Sequence, residues 1–369
     1  MTHRIIQFGT SRFLQAHVDL FVHQARLANQ DVGSITVVKT TPGGDRAGRI
    51  AALKSGAAFP VRIRGLNNGA VIDEIVSVAS VDQAYDSERE WPSVVQCFVR
   101  ESDIAVSNTG DRGYELSPQD DGYGFVSPLV PPRSFPAKLL ALLLARFRDG
   151  GRPMLFLPTE LVSKNGNRLA GILSTLAAET GQPEEFRAWL KQRVTFADTL
   201  VDRIVSAPIE PVGAVAEPYA LWAIQRGSFA MPLRHPDVMA VDDLAPFERL
   251  KLHILNLGHT LLADRWMRDA REPSETVRRI LDDPAIARIL DAIYEEEVLP
   301  GFVLHGMEAE ARRYVATTLE RFLNPFLDHR LADIAQNHAV KVTSRIATFI
   351  AWAREREPGF AAPQLEKVL

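Results

Sequence analysis

Apolar and polar positions alternate in a recognisable order from the start of the chain. Residues 4–8 (RIIQF) form a short apolar run that stops at Gly9. Over 14–27 the apolar residues Leu14, Val18, Phe21, Val22 and Ala25 recur at helical spacing. Residues 35–38 (ITVV) are a second, β-branched run. Strand, glycine turn, helix and strand in this order predict the opening of a doubly wound nucleotide-binding fold. Two further short runs, 104–107 (IAVS) and 154–157 (MLFL), end at Asn108-Thr109 and Thr159-Glu160. In open parallel sheets ligands bind beyond the carboxyl ends of strands, so both polar clusters point to one crevice. Between the second run, 35–38, and Ile104 lies a hairpin signal: 59–65 (FPVRIRG), the turn Asn67-Asn68-Gly69, and 71–76 (VIDEIV).

From Pro183 onward the pattern predicts mostly helix, with amphipathic segments over 245–268, 274–296, 309–323 and 327–354. Pro208, Pro211 and Gly213 punctuate the chain before them. The expected architecture is α/β: a Rossmann-type dinucleotide-binding domain over 1–212 with a β-hairpin insertion, then a mainly α-helical domain over 213–369. A cleft between the two would hold cofactor and substrate.

Composition narrows the function classes. The chain has 369 residues, enough for two domains, and a net charge of -4, which gives no basic surface for nucleic acid. Its single cysteine, Cys97, excludes an intrachain disulfide and a thiolate metal site, and fits a reducing, cytoplasmic compartment. The start MTHRIIQFGTSRF lacks the long apolar stretch of a signal peptide, and the most apolar run, 139–145, is too short to span a bilayer. H-E-x-x-H, P-loop, G-x-S-x-G and zinc-finger spacings are absent. His329 and His338 read as non-ligands, and no metal is expected. The expected partner is a small molecule, bound by a monomer or small homo-oligomer.

Three segments carry chemistry. Gly9 at a strand end lets a pyrophosphate approach the backbone, and the helix start behind it offers free N–H groups. There Ser11 can donate a hydrogen bond and Arg12 can pair with phosphate or carboxylate, although only Gly9 of a G-x-G-x-x-G is present. At the end of the second strand, where NAD enzymes place an acid for the ribose, stands Lys39, with Asp45 and Arg46 close behind. NAD is the expected cofactor, with NADP left open. The third segment is KLHILNLGHT. On a regular α-helix Asn256 lies roughly 140° and His259 roughly 80° around from Lys251, so all three share one broad side. His253 points elsewhere and reads as structural. Oxidising an alcohol needs a base for the hydroxyl proton, which a desolvated lysine supplies, and donors for the developing alkoxide, which Asn and His supply. From spacing alone the competing reading is an amphipathic helix with a satisfied histidine. Weaker candidates are Glu160 at a strand end, Asn165 before Gly166 in a turn, Asp202-Arg203 as a helical ion pair, and Lys138 as a solvated helix-start lysine.

Taken together, IIQFGTSRFLQAHVD, ITVVKTTPGG, IAVSNTGDRGYEL, SFPAKLLALLLARF, TELVSKNGN, LKLHILNLGHTLLA and RFLNPFLDHRLADIAQNHAVKVTSRI resemble, in order along nearly the whole chain, the polyol-specific long-chain (mannitol) dehydrogenase family, and within it the tagaturonate reductase branch. The resemblance implies a metal-free dehydrogenase acting on a sugar acid, with Lys251 as general acid/base and Asn256 and His259 polarising the reacting oxygen. It places Gly9, Ser11 and Phe13 on phosphate-loop positions, Asn108 and Thr109 on the nicotinamide side, and Lys341 where the family has a substrate-facing lysine. Glu160, Asn165 and Arg203 join Lys341 as expected substrate contacts. Glu160-Leu161 and Asp333 depart from the mannitol type, which carries Asp-Asn and arginine there. A substrate carboxylate would fall to Arg12, Arg64 or Arg203. The alternatives are a polyol or phospho-polyol dehydrogenase and a non-catalytic NAD-binding sensor.

Overall fold

The computed structural model describes residues 3–41, 43, 47–110, 112–120 and 130–369. Asp45 and Arg46 lie outside these described residues. The chain forms two units: 1–62, 75–216 and 220–244 in the first, 63–74, 217–219 and 245–369 in the second.

The first unit is built on six parallel strands: β1 (His3–Phe8), β2 (Val32–Lys39), β5 (Val81–Asp86), β6 (Ser102–Ser107), β7 (Met154–Pro158) and β8 (Val194–Phe196), in the order β5-β2-β1-β6-β7-β8. The apolar runs read from sequence are the middles of β1, β2, β6 and β7. They are apolar throughout because helices cover both faces of a parallel sheet. Every residue of β7 is buried, and the helix Phe135–Arg148 buries Leu139, Leu140, Leu142, Leu143 and Leu144. The order reverses at β1, whose neighbours are β2 on one side and β6 on the other. Pairing registers align the strand ends: Phe8 opposite Val38 and Ser107, Ser107 opposite Pro158, and Lys39 opposite Asp86. Gly9, Lys39, Asp86, Asn108 and Thr159 therefore share one edge of the sheet.

The hairpin forms as expected, from β3 (Phe59–Asn67) and β4 (Ala70–Val78). Its two-residue loop, Asn68-Gly69, has φ of 50° and 76°, the positive values a tight hairpin turn requires. The expectation of helix from Pro183 onward is corrected over 194–241. After the helix Glu184–Arg193 come β8, β9 (Thr199–Asp202), β10 (Val205–Pro208), β11 (Ala214–Ala216), β12 (Leu221–Gln225) and β13 (Val238–Val241). These build a β13-β12-β9 sheet and add β10 and β11 to β3 and β4. The expected boundary at 212/213 falls between β10 and β11, which pair with each other, so the chain does not part there. The long contiguous division lies at 244/245.

The second unit is helical, around Ile254, Leu255, Leu257, Ile280, Tyr294, Val298, Phe302, Ile346 and Phe349. A helix over 245–268 appears with the expected limits. The expected 327–354 helix is instead Leu331–Ile334 and a helix over 338–354, separated at Asn337 with φ 55°. Two short stretches from earlier in the chain complete this unit. The hairpin tip brings Arg64, whose guanidinium sits 3.9 Å over the Phe326 ring. The 217–219 stretch brings Glu217, which takes two hydrogen bonds from Arg321, both side chains almost wholly buried. Among the described residues no helix is long and apolar enough to cross a membrane.

Candidate active site

In the first unit, Gly9 has φ 122°, and a Cβ on it would lie 2.6 Å from the Asn108 carbonyl oxygen. Only glycine lets the β1 end pass so close to the β6 end. Ser11 caps the helix over 12–27, accepting from the Leu14 N–H, and its hydroxyl donates to Asn108 Oδ1 at 3.1 Å. Asn108 in turn donates to the Thr159 carbonyl and hydroxyl oxygens. Ser11, Asn108 and Thr159, singled out separately by sequence, thus form one connected group across three strand ends. Arg12 is exposed at the helix start, and Phe13 stacks on His17 with centroids 4.7 Å apart.

Glu160 is 4% exposed, and its two oxygens accept from Ser107 Oγ, Tyr114 Oη, and the Thr109 N–H and Oγ1. Burial and the Glu160 charge push the Tyr114 pKa up, keeping that hydroxyl a donor. Glu160 thus anchors the segment that follows β6. Asn165 is wholly buried at the start of the helix Asn165–Glu179. Its amide bonds the Pro158, Glu160 and Thr199 carbonyls and accepts from Thr199 N–H. It is part of a helix start and a strut between strands, in place of the expected turn. Asp202-Arg203 stands at the end of strand β9 and not on a helix. Arg203 is half-buried and donates to the Ala16 carbonyl at 2.7 Å. Lys138, expected to be solvated, is 2% exposed and donates to the Arg133 carbonyl, and burial lowers its pKa to about 8.

Lys39 is buried and paired with Asp86 at 3.0 Å. Burial alone would raise the Asp86 pKa, but hydrogen bonds and the Lys39 charge outweigh it and hold the carboxyl low. The pair borders a cavity of about 510 Å³, whose other described walls include Lys54, Glu88, Arg89 and Glu90. Lys54 is itself bonded to both Glu90 oxygens.

In the second unit, Lys251, Asn256 and His259 lie on one helix, but it is not regular. A π turn, Lys251–Asn256, interrupts the α-helix between Ala245–Leu250 and Leu257–Arg268. The angular offsets expected for an unbroken α-helix therefore do not apply between Lys251 and Asn256. The wider turn disturbs the regular ladder, and side chains supply donors along it. Tyr294 Oη donates to the Ile254 carbonyl at 3.0 Å. Thr260 Oγ1 and Arg345 Nη1 donate to the Asn256 carbonyl at 2.9 and 3.1 Å. Lys251 and Asn256 are half-buried; His259 is 6% exposed, against Phe322 and edge-on to His329 with centroids 4.8 Å apart. His253 is buried, stacks on Trp352 and donates from Nδ1 to the Arg345 carbonyl, and burial lowers its pKa to about 4. That is the structural histidine the sequence predicted. Lys341 is half-buried and donates to the Ile334 carbonyl. Sequence reading missed Tyr294 and Arg345, and took His329 only as a non-ligand. The one signal for Arg345 was its place four residues after Lys341, on the same helix face.

Residues 3–234 match the family model of the mannitol dehydrogenase Rossmann domain, and 243–362 that of the mannitol dehydrogenase C-terminal domain. The chain belongs to the mannitol dehydrogenase family. It is accordingly an oxidoreductase with a Rossmann-type domain. An altronate oxidoreductase of Halalkalibacterium halodurans is 28% identical over 94% of this chain and 70% of its own length. One of Yersinia pestis is 32% identical over 93% and 74%. The fold of this mannitol dehydrogenase family member is shared with a D-sorbitol dehydrogenase in substrate-free form (TM-score 0.78, 17% identity, 95% of this chain and 76% of that one). It is also shared with the Pseudomonas fluorescens mannitol 2-dehydrogenase in ternary complex with NAD and D-mannitol (TM-score 0.73, 17% identity, 100% and 83%).

Proposed function

We propose that this chain catalyses reversible NAD-dependent oxidation of a secondary alcohol to a ketone on a sugar acid; the relatives similar to it are named altronate oxidoreductases. The carrying observation is the Lys251, Asn256 and His259 set on one helix, braced at its π turn, in a chain that aligns with those relatives over more than nine-tenths of its length.

The first unit fits a dinucleotide. Gly9 leaves a cradle that any Cβ would fill, and the helix start beside it offers N–H groups and Arg12 for phosphates. Ser11, Phe13, Lys39, Asn108 and Thr109 are the other residues assigned to hold NAD, whose nicotinamide accepts the hydride when bound. Lys39 and Lys54 already have carboxylate partners, which disfavours the extra phosphate of NADP.

Lys251 would take the hydroxyl proton of the alcohol as its C–H bond breaks. Asn256 and His259 donate to the oxygen as it gains negative charge, then release the carbonyl. The ketone would leave with the hydroxyl proton held on Lys251. Reduction of a hexuronate ketone is the same path reversed.

A panel of aldonates and neutral polyols, followed by NADH absorbance, tests the reading. Turnover of aldonates, lowered roughly 10²–10⁴-fold by Lys251→Ala, is expected. Activity on polyols alone would overturn the sugar-acid assignment, and full turnover by the Lys251 variant would overturn the mechanism.

A further inference from the structure

Arg345 occupies another π turn, Thr343–Ala347, in the helix over 338–354. It is half-buried, and Nη1 donates to the Asn256 carbonyl and to Thr260 Oγ1, both at 3.1 Å. Burial lowers its pKa, with no carboxylate acting in the other direction. Among the described residues, Nε and Nη2 have no hydrogen-bond partner and no acid pairs with the guanidinium. One helical turn earlier stands Lys341, whose pKa is lowered first by burial and then by the charge of Arg345. Two half-buried cations thus repel each other beside the helix of Asn256 and His259. Such an arrangement is unfavourable unless an anion joins it.

Acids of this unit are committed elsewhere. Asp333 takes two hydrogen bonds from Arg330, and Glu217 takes two from Arg321. The other candidate arginines are less suited. Arg64 lies on Phe326 and pairs with Asp73 at 2.9 Å, Arg203 bonds the Ala16 carbonyl, and Arg12 is exposed at the opening of the first unit's first helix.

We propose that Arg345, with Lys341 beside it, binds the carboxylate of the sugar-acid substrate. Nε and Nη2 form the side-on edge of the guanidinium, which matches the two oxygens of a carboxylate. The Asn256 carbonyl holds Nη1, so carboxylate recognition and the residue that polarises the reacting oxygen are tied by one hydrogen bond. The assignment rests on the sugar-acid reading above.

The test compares D-altronate with D-altritol, the same carbon chain with the carboxylate reduced to an alcohol. Arg345→Gln is expected to raise the KM for altronate roughly tenfold or more, with a smaller change in kcat, so that the altronate-to-altritol ratio of kcat/KM falls. Lys341→Met shifts the ratio the same way, and Arg345→Lys, which keeps charge but loses the edge, falls between. If Arg345→Gln fails to fold, Arg345→Lys and Lys341→Met carry the test. Equal losses of kcat on both substrates, with the altronate KM unchanged, would reduce Arg345 to a brace for the Asn256 carbonyl and overturn the proposal. A wild-type enzyme that neither turns over nor binds any aldonate would instead overturn the sugar-acid reading, and this inference with it.

Discussion

The Tyr294 hydroxyl lies 2.0 Å from the point where a Cβ on Gly258 would stand. Gly258 is helical, two residues beyond the π turn, and its bareness lets Tyr294 reach the Ile254 carbonyl. An alanine in an open helix gains up to about 1 kcal/mol over glycine. Here the same methyl must displace Tyr294 and the Phe322 ring, at about 1–3 kcal/mol, and break a buried hydrogen bond. Gly258→Ala is therefore expected to destabilise by about 2 kcal/mol and to lower kcat. Urea unfolding checks the sign, and a stabilised variant would refute the packing argument.

Glu160 accepts four hydrogen bonds and offers none. A glutamine would turn an N–H₂ toward donors on one side of that cluster. The cost is about 1–3 kcal/mol, felt in the segment carrying Asn108 and Thr109. Glu160→Gln is expected to weaken NADH binding, measured by fluorescence titration, more than it raises the KM for the sugar acid. Unaltered NADH affinity would exclude an anchoring role on the cofactor side.

Asp19 is fully buried, and among the described residues neither carboxyl oxygen has a partner within ordinary hydrogen-bond geometry. Burial pushes its pKa up to about 8, with the nearby Gln7 side chain opposing the shift. Between the ordinary carboxylate range and about pH 8 the folded chain holds a proton that the unfolded chain has released. This group therefore makes stability fall as pH rises through that window, by an amount on the order of a few kcal/mol. Asp19→Asn should flatten the decline of Tm from the ordinary carboxylate range up to about pH 8. Parallel pH profiles for variant and wild type would show that Asp19 has no part in it.

Asp86 neutralises Lys39 at the end of β2. NADH is expected to be preferred over NADPH in the wild type. Asp86→Ser, by freeing the lysine, should improve kcat/KM for NADPH by roughly tenfold. A variant with no gain would place the ribose contact away from Lys39.

Strands β1, β2, β6 and β7 of the parallel sheet were legible because each is an apolar run ending in polar residues, as at Ser107-Asn108 and Pro158-Thr159, whereas β5, VDQAYD, is half polar and was not. The helix over 245–268 was legible because its apolar spacing lasts six turns. The strands over 194–241 were not. They are only three to five residues long, and β10 and β13 are only partly buried, which leaves too few positions to show a period of two. The π turn was equally hidden, since nothing in KLHILN distinguishes it from an α turn. Its stabilisers, Tyr294 and Arg345, are distant in sequence. Glu160 was found as a strand-end acid, but its four donors could be seen only once the segment after β6 was in place.

The two earlier stretches that complete the helical unit bear on how this enzyme can be divided. A fragment beginning at Ala245 would keep the Lys251, Asn256 and His259 helix and lose Glu217 along with the hairpin tip. Arg321 would then carry its charge into an apolar interior without the carboxylate that neutralises it, a loss of about 3–5 kcal/mol in comparable buried pairs. Domain exchange within the family therefore has to carry 63–74 and 217–219 along with the helical part, because the segment that looks autonomous in sequence borrows its counter-charge from upstream.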